Sequence, residues 1–204
     1  MATSYSNFTY ADLDLLLINY ERQTLFPQTI PGLESSNWLS ETLAMNHSYP
    51  LGTEKAKSEL LVIPILTEMR RRNHGFFALY SGYTFDVDAK QGLTGRSDFI
   101  LTKERRSPII TAPLFAVVEA KNDNVEDAIP QSIAQMFAAQ IFNERKGTNV
   151  PMVYGAATSG FDWLFMRLSG NTALIDTEIY QIRALPELLG VLQHIIDFYK
   201  NLPE

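Results

Sequence analysis

The chain has 204 residues and a mass of 23.1 kDa, enough for one domain with a full hydrophobic core. Its composition, 46% hydrophobic and 20% charged, excludes a disordered or low-complexity scaffold; with no cysteine, disulfides, zinc–thiolate sites, iron–sulfur clusters and thiol nucleophiles are excluded too. The net charge is −6, the three histidines are far apart, and no apolar run nears the roughly 20 residues of a membrane helix, so neither indiscriminate nucleic-acid binding, a His-rich metal cluster nor a membrane contact is expected. The first ten residues lack a basic segment and an apolar core, so they do not read as a signal peptide, and a cytoplasmic location is expected.

In chain order, residues 10–20 form a helix candidate with Asp12 and Asp14 near its positive end. Residues 24–33 hold Pro27, Pro31 and Gly32 and read as loop. A second short helix is expected over 34–45. A longer one is expected over 53–72, opened by Thr53 as N-cap and kinked or broken at Pro64. Strands follow over 76–87, 98–102 and 114–121. Residues 127–145 form a helix with Pro130 in its first turn and Gly147 at its end. Strands over 150–157, 163–168 and 177–182 and a closing amphipathic helix over 185–202 complete the chain. This order predicts a single mixed α/β domain over residues 1–204, a central mixed sheet flanked by helices, with an N-terminal helical extension over about 1–50.

Charge is unevenly spread. Residues 70–121 carry nine Lys/Arg and five Asp/Glu out of 17 and 23 in the whole chain, which leaves 8 and 18 elsewhere. The basic turns Arg70-Arg71-Arg72 and Lys103-Glu104-Arg105-Arg106, with Arg96, are either solvated surface or phosphate contacts. Tyr80, Tyr83 and Phe85 read as core or edge packing, with base stacking as the alternative. Trp38 and Trp163 read as core residues. No phosphate-binding glycine loop or Ser-His-Asp set occurs, so an ATP-driven activity is not expected.

The chemistry concentrates in Leu114-Phe115-Ala116-Val117-Val118-Glu119-Ala120-Lys121. Five apolar residues in a row predict a central strand covered on both faces. Glu119 and Lys121, two apart, share a face at its end. Buried charges there must be paired, solvated or metal-bound. A Glu–Lys salt bridge and a metal site both satisfy that demand. Asp98, after Gly95-Arg96-Ser97, opens another apolar strand, and a hairpin of the two strands would bring Asp98 and Glu119 together in the right register.

Ser97-Asp98 followed by Val117-Val118-Glu119-Ala120-Lys121 resembles the signature of the PD-(D/E)XK nuclease superfamily, with Ser where a proline often precedes the aspartate. The resemblance spans about residues 54–158. It implies a restriction-endonuclease-like core and a magnesium or manganese ion held by Asp98, Glu119 and the carbonyl of Ala120. Lys121 would orient the attacking water, and Gln131 and Gln135 on the following helix would position water, Lys121 or a phosphate. Glu59, in the preceding helix, would be a further acid. The implied activity is hydrolysis of phosphodiester bonds in DNA, with RNA as the alternative substrate, by a homodimer or with a partner protein supplying specificity. Two rivals stand beside it: a non-catalytic nuclease-fold binding module of a defence or mobile-element system, and a structural domain in which Glu119–Lys121 is only a salt bridge.

Overall fold

The computed structural model describes residues 2–103, 107–121, 124–148 and 150–202. The basic turn residues Glu104, Arg105 and Arg106, and Asp123 beyond the Glu119-Ala120-Lys121 motif, lie outside them. In chain order the elements are α1 (Tyr10–Leu15), β1 (Asn19–Arg22), α2 (Asn37–Asn46), α3 (Glu54–Lys57), a π-helical turn (Ser58–Val62) and α4 (Ile63–Arg72). Then come β2 (Ala78–Thr84), β3 (Arg96–Thr102), β4 (Leu114–Ala120), α5 (Ile129–Arg145), β5 (Val153–Thr158), β6 (Asp162–Ser169), β7 (Thr172–Gln181) and α6 (Leu185–Lys200).

The seven strands form one mixed sheet in the order β1-β7-β6-β5-β4-β3-β2. The β4–β5 and β1–β7 pairs are parallel and the rest antiparallel. Helices cover both faces. One apolar cluster packs α1 and α5 against the sheet through residues such as Leu13, Ile133 and Met136; the other packs α2, α4 and α6 through Leu39, Leu66 and Leu192. Sandwiched between them, all seven residues of β4 are buried, as the unbroken apolar run requires.

Three expectations need correction. The helix expected over 10–20 stops at Leu15: Leu17 adopts a left-handed φ of 56°, and the chain turns into strand β1. The N-terminal region is therefore not a purely helical extension. It adds an edge strand to the sheet and plugs the core with Tyr5, whose hydroxyl donates to the carbonyl of Phe85 at 2.7 Å. The last strand begins at Thr172, five residues before its expected start. Trp38 is partly exposed on α2, its ring stacked under the Arg71 guanidinium at 4.7 Å, whereas Trp163 is fully buried.

The expected 53–72 helix is capped as read: the Thr53 hydroxyl accepts from the backbone N–H of Ala56 at 3.1 Å. The expected break lies at the π-helical turn just before Pro64. Proline at 64 cannot bond the carbonyl of Leu60, four residues earlier, and the Asn46 side-chain amide takes that acceptor at 2.7 Å. The break thus ties α2 to the start of α4.

Candidate active site

The β3–β4 hairpin decides the geometry. Phe99 pairs with Val118 and Ile100 with Val117, and the same antiparallel register continued by one residue sets Asp98 opposite Glu119. Oδ2 of Asp98 accepts the backbone N–H of Ala120 at 2.8 Å, which leaves Oδ1 directed to other partners. Lys121 follows the last residue of β4, and its backbone N–H donates to the carbonyl of Thr158 at 2.8 Å, holding the motif against the end of β5.

Helix α5 runs back along β4 and meets it at both ends. The Asn143 amide brackets Leu114, with Oδ1 accepting from its N–H at 2.8 Å and Nδ2 donating to its carbonyl at 2.6 Å. Gln131 and Gln135, about three and two turns earlier on that face, reach Glu119. Close approach of the helix depends on Gly155 of β5, where a Cβ would sit 2.6 Å from Sδ of Met136.

Both oxygens of Glu119 are occupied: Gln131 Nε2 donates to Oε1, and Gln135 Nε2 donates to Oε2 at 2.8 Å. Each amide is oriented from behind. Nζ of Lys121 donates to Gln131 Oε1 at 2.8 Å, and the buried Ser97 hydroxyl donates to Gln135 Oε1 at 2.9 Å. A lysine ammonium only donates, so the Gln131 oxygen must face Lys121 and its NH2 must face Glu119. The Lys121 ammonium itself stands 3.9 Å from Glu119, a looser contact than a hydrogen-bonded salt bridge.

The electrostatics follow from this arrangement. Burial, then the negative charge of Asp98, push the Glu119 carboxyl well above the usual carboxylate range; Lys121 and the Gln135 hydrogen bond pull it back only in part, and a hydrogen bond between the protonated carboxyl and Asp98 adds to the rise. Two carboxylates that penalise each other's charge are a poor structural pair and a natural seat for a divalent cation.

Of the acids in the preceding helical segment, Glu59 and Glu54 both line a cleft of about 250 Å³ that opens over Asp98. Glu59 is an exposed residue in an ion pair with Lys55 at 3.4 Å. Glu54, which the sequence reading passed over, is the one coupled to the site: partial desolvation raises its carboxyl, with Lys121 lowering it and Asp98 raising it further. A signal for it was present in the sequence, since Glu54 follows the Thr53 cap directly and so marks the point where the helix enters. Among the described residues no three His, Asp or Glu side chains come together as a ready-made metal cage.

Each arginine of the basic triplet has a partner within the fold. Arg70 Nε donates to the Phe77 carbonyl at 3.0 Å, Arg71 stacks on Trp38, and Arg72 binds Glu68 at 2.6 Å and the carbonyl of Glu34. Of the other basic candidates, Arg96 is exposed and lines the cleft over Asp98.

No family model matches the chain, and no curated protein matches its sequence. No helix among the described residues is long and apolar enough to cross a membrane.

Proposed function

We propose that this chain is a divalent-metal-dependent nuclease with a restriction-endonuclease-like core, hydrolysing phosphodiester bonds of DNA at the Asp98–Glu119–Lys121 site. The observation that carries the reading is the β3–β4 register, which sets Asp98, itself lining a cleft, across from the buried Glu119, with Lys121 beside them through Gln131.

The donor set fits magnesium or manganese. Both take oxygen ligands, and magnesium keeps several waters, so two carboxylates and a carbonyl are enough. Asp98 Oδ1, Glu119 and the Ala120 carbonyl would hold the ion. The two amides on Glu119 leave it further lone pairs. When bound, such an ion polarises the phosphoryl group and lowers the pKa of a bound water. The chain's own residues do the rest. Lys121 places a positive charge where charge builds on the phosphoryl oxygens, and Gln131 bridges that ammonium to the Glu119 carboxylate.

A second reading has its own support. Both Glu119 oxygens are already satisfied by amides, so the cluster would also serve as a closed polar network in a non-catalytic binding module. Cleavage assays separate the two. Purified protein is expected to cut DNA with manganese or magnesium and to stop in EDTA, and Lys121→Ala is expected to lose about a hundredfold in rate while keeping its melting temperature. No cleavage with either metal favours the binding module, and unchanged cleavage by Lys121→Ala removes Lys121 from the mechanism.

A further inference from the structure

The cleft over Asp98 does not end there. On one side it is walled by the first turns of the helical segment and Ile63, and on the other by Ser81 and Gly82 of β2. A second cleft of about 450 Å³ lies beside the next residues of the same helical segment and strand, with Thr67 and Arg70 on the helix side and Leu79, Tyr80 and Tyr83 on the strand side. Ile63, Thr67 and Arg70 are spaced four and three apart, so they lie along one face of α4. β2 is the terminal strand of the sheet and runs back past that helix. The two clefts thus follow one path beside the π-helical turn and α4, from Ser58 to Arg70, a length of about 18 Å at the rise of an α-helix.

The walls of this groove have a definite chemistry. Tyr83 is 40% exposed. Its ring is braced edge-on by Tyr80 at a centroid distance of 5.1 Å, and Tyr80 is itself anchored through its hydroxyl to the carbonyls of Ser107 and Ile109 at 3.0 and 2.8 Å. An aromatic ring held rigid with an open face is a stacking platform for a base. Arg70 spends Nε on the Phe77 carbonyl, and that bond fixes the guanidinium at the groove's far end; Arg96 stands at the near end beside Asp98. A cation at each end with an aromatic platform between them matches a backbone of phosphates carrying unstacked bases. A duplex keeps its bases stacked on one another and so offers no base face to Tyr83.

We propose that the groove between α4 and β2 takes one unpaired nucleic-acid strand and feeds it to Asp98, with Tyr83 stacking on a base and Arg70 on a phosphate. This rests on the nuclease reading for its purpose, but not for its test. Fluorescence anisotropy with a labelled single-stranded DNA oligonucleotide and with the same oligonucleotide in duplex form, both in EDTA, measures binding without hydrolysis. The single strand is expected to bind at least tenfold tighter than the duplex. Tyr83→Ala is expected to weaken single-strand binding at least fivefold, and Tyr83→Phe, which keeps the ring, is expected to restore it. Equal or tighter duplex binding, binding of neither form, or an unchanged Tyr83→Ala protein overturns the proposal. Cleavage of the same oligonucleotides with manganese is scored separately. Strand binding without any cleavage sinks the nuclease reading and leaves the groove standing, whereas cleavage with duplex preference does the reverse.

Discussion

Two buried glutamates, Glu68 on α4 and Glu119 on β4, are both nearly inaccessible, at 1% and 4% exposure, yet they are opposites. Glu68 faces only donors. The Ser36 N–H and hydroxyl donate to it at 3.1 and 2.8 Å, and Arg72 donates at 2.6 Å. Burial raises its carboxyl, but those hydrogen bonds and the Arg72 charge outweigh burial and hold it below the usual range. Glu119 faces another acid, and its carboxyl goes up. The first arrangement clips the N-terminus of α2 to α4. The second spends stability on a charged pair at a strand end, beside an open cleft. Strongly perturbed carboxyls of the second kind mark functional sites more often than structural ones.

The sharpest way to break this comparison is to remove a counterion. Arg72→Met leaves the Glu68 charge buried without its cation and is expected to lower the unfolding free energy by about 3 kcal/mol. Glu119→Gln removes the charge that Asp98 opposes but sets a new NH2 against the Gln131 or Gln135 amide, and is expected to lower the stability of the metal-free protein by less, about 1 kcal/mol. Urea denaturation of the two variants measures both, and equal losses would erase the distinction between clip and site.

The next contrast lies within the helical segment before β2. If Glu54 helps set the charge around Asp98, Glu54→Gln should raise the manganese concentration needed for half-maximal cleavage about tenfold. Glu59→Gln, which breaks an exposed pair with Lys55, should leave it within about twofold. A larger effect at Glu59 would restore the assignment that the sequence suggested.

The smallest expected effect is in the pH dependence of stability, and its sign differs between the two glutamates. For Glu68, whose carboxyl is lowered, the contribution is complete above the ordinary glutamate value of about 4.3 and fades as pH falls through the lowered one. For Glu119, whose carboxyl is raised, the contribution is complete below about 4.3 and fades as pH rises towards the raised one. Metal-free wild type should therefore lose stability relative to Glu119→Gln as pH rises, and lose it relative to Glu68→Gln as pH falls. Parallel curves for the two comparisons would contradict the opposite electrostatics.

Much of this was legible in the chain because the signals are local. The apolar run 114–118 announced a strand buried on both faces, Thr53 its cap, and Asp98 and Glu119 a hairpin whose register the structure supplies. Strand β1 was not legible: Asn19-Tyr20-Glu21-Arg22 is a polar edge strand with no alternation, defined by its pairing to residues 172–175 far along the chain. Glu54 stands beside Glu59 on the cleft, and its coupling to Lys121 and Asp98 depends on how the start of the helical segment packs over the β3–β4 hairpin, which no local pattern announces. The basic triplet read as either solvated surface or phosphate contacts, since nothing in the sequence announces that Arg70, Arg71 and Arg72 find partners in Phe77, Trp38 and Glu68.

The central claim is that Asp98 and Glu119 form a cation site, and titration calorimetry of manganese into the metal-free protein tests it most directly. Wild type is expected to bind, and to bind more tightly as pH rises, because cation and proton compete for the Glu119 carboxyl, which burial and Asp98 raise. Asp98→Asn is expected to bind at least tenfold more weakly. At a hundredfold excess over its dissociation constant, manganese should stabilise wild type by about 2.7 kcal/mol. No heat of binding in wild type, or an Asp98→Asn protein that binds equally well, would contradict the account.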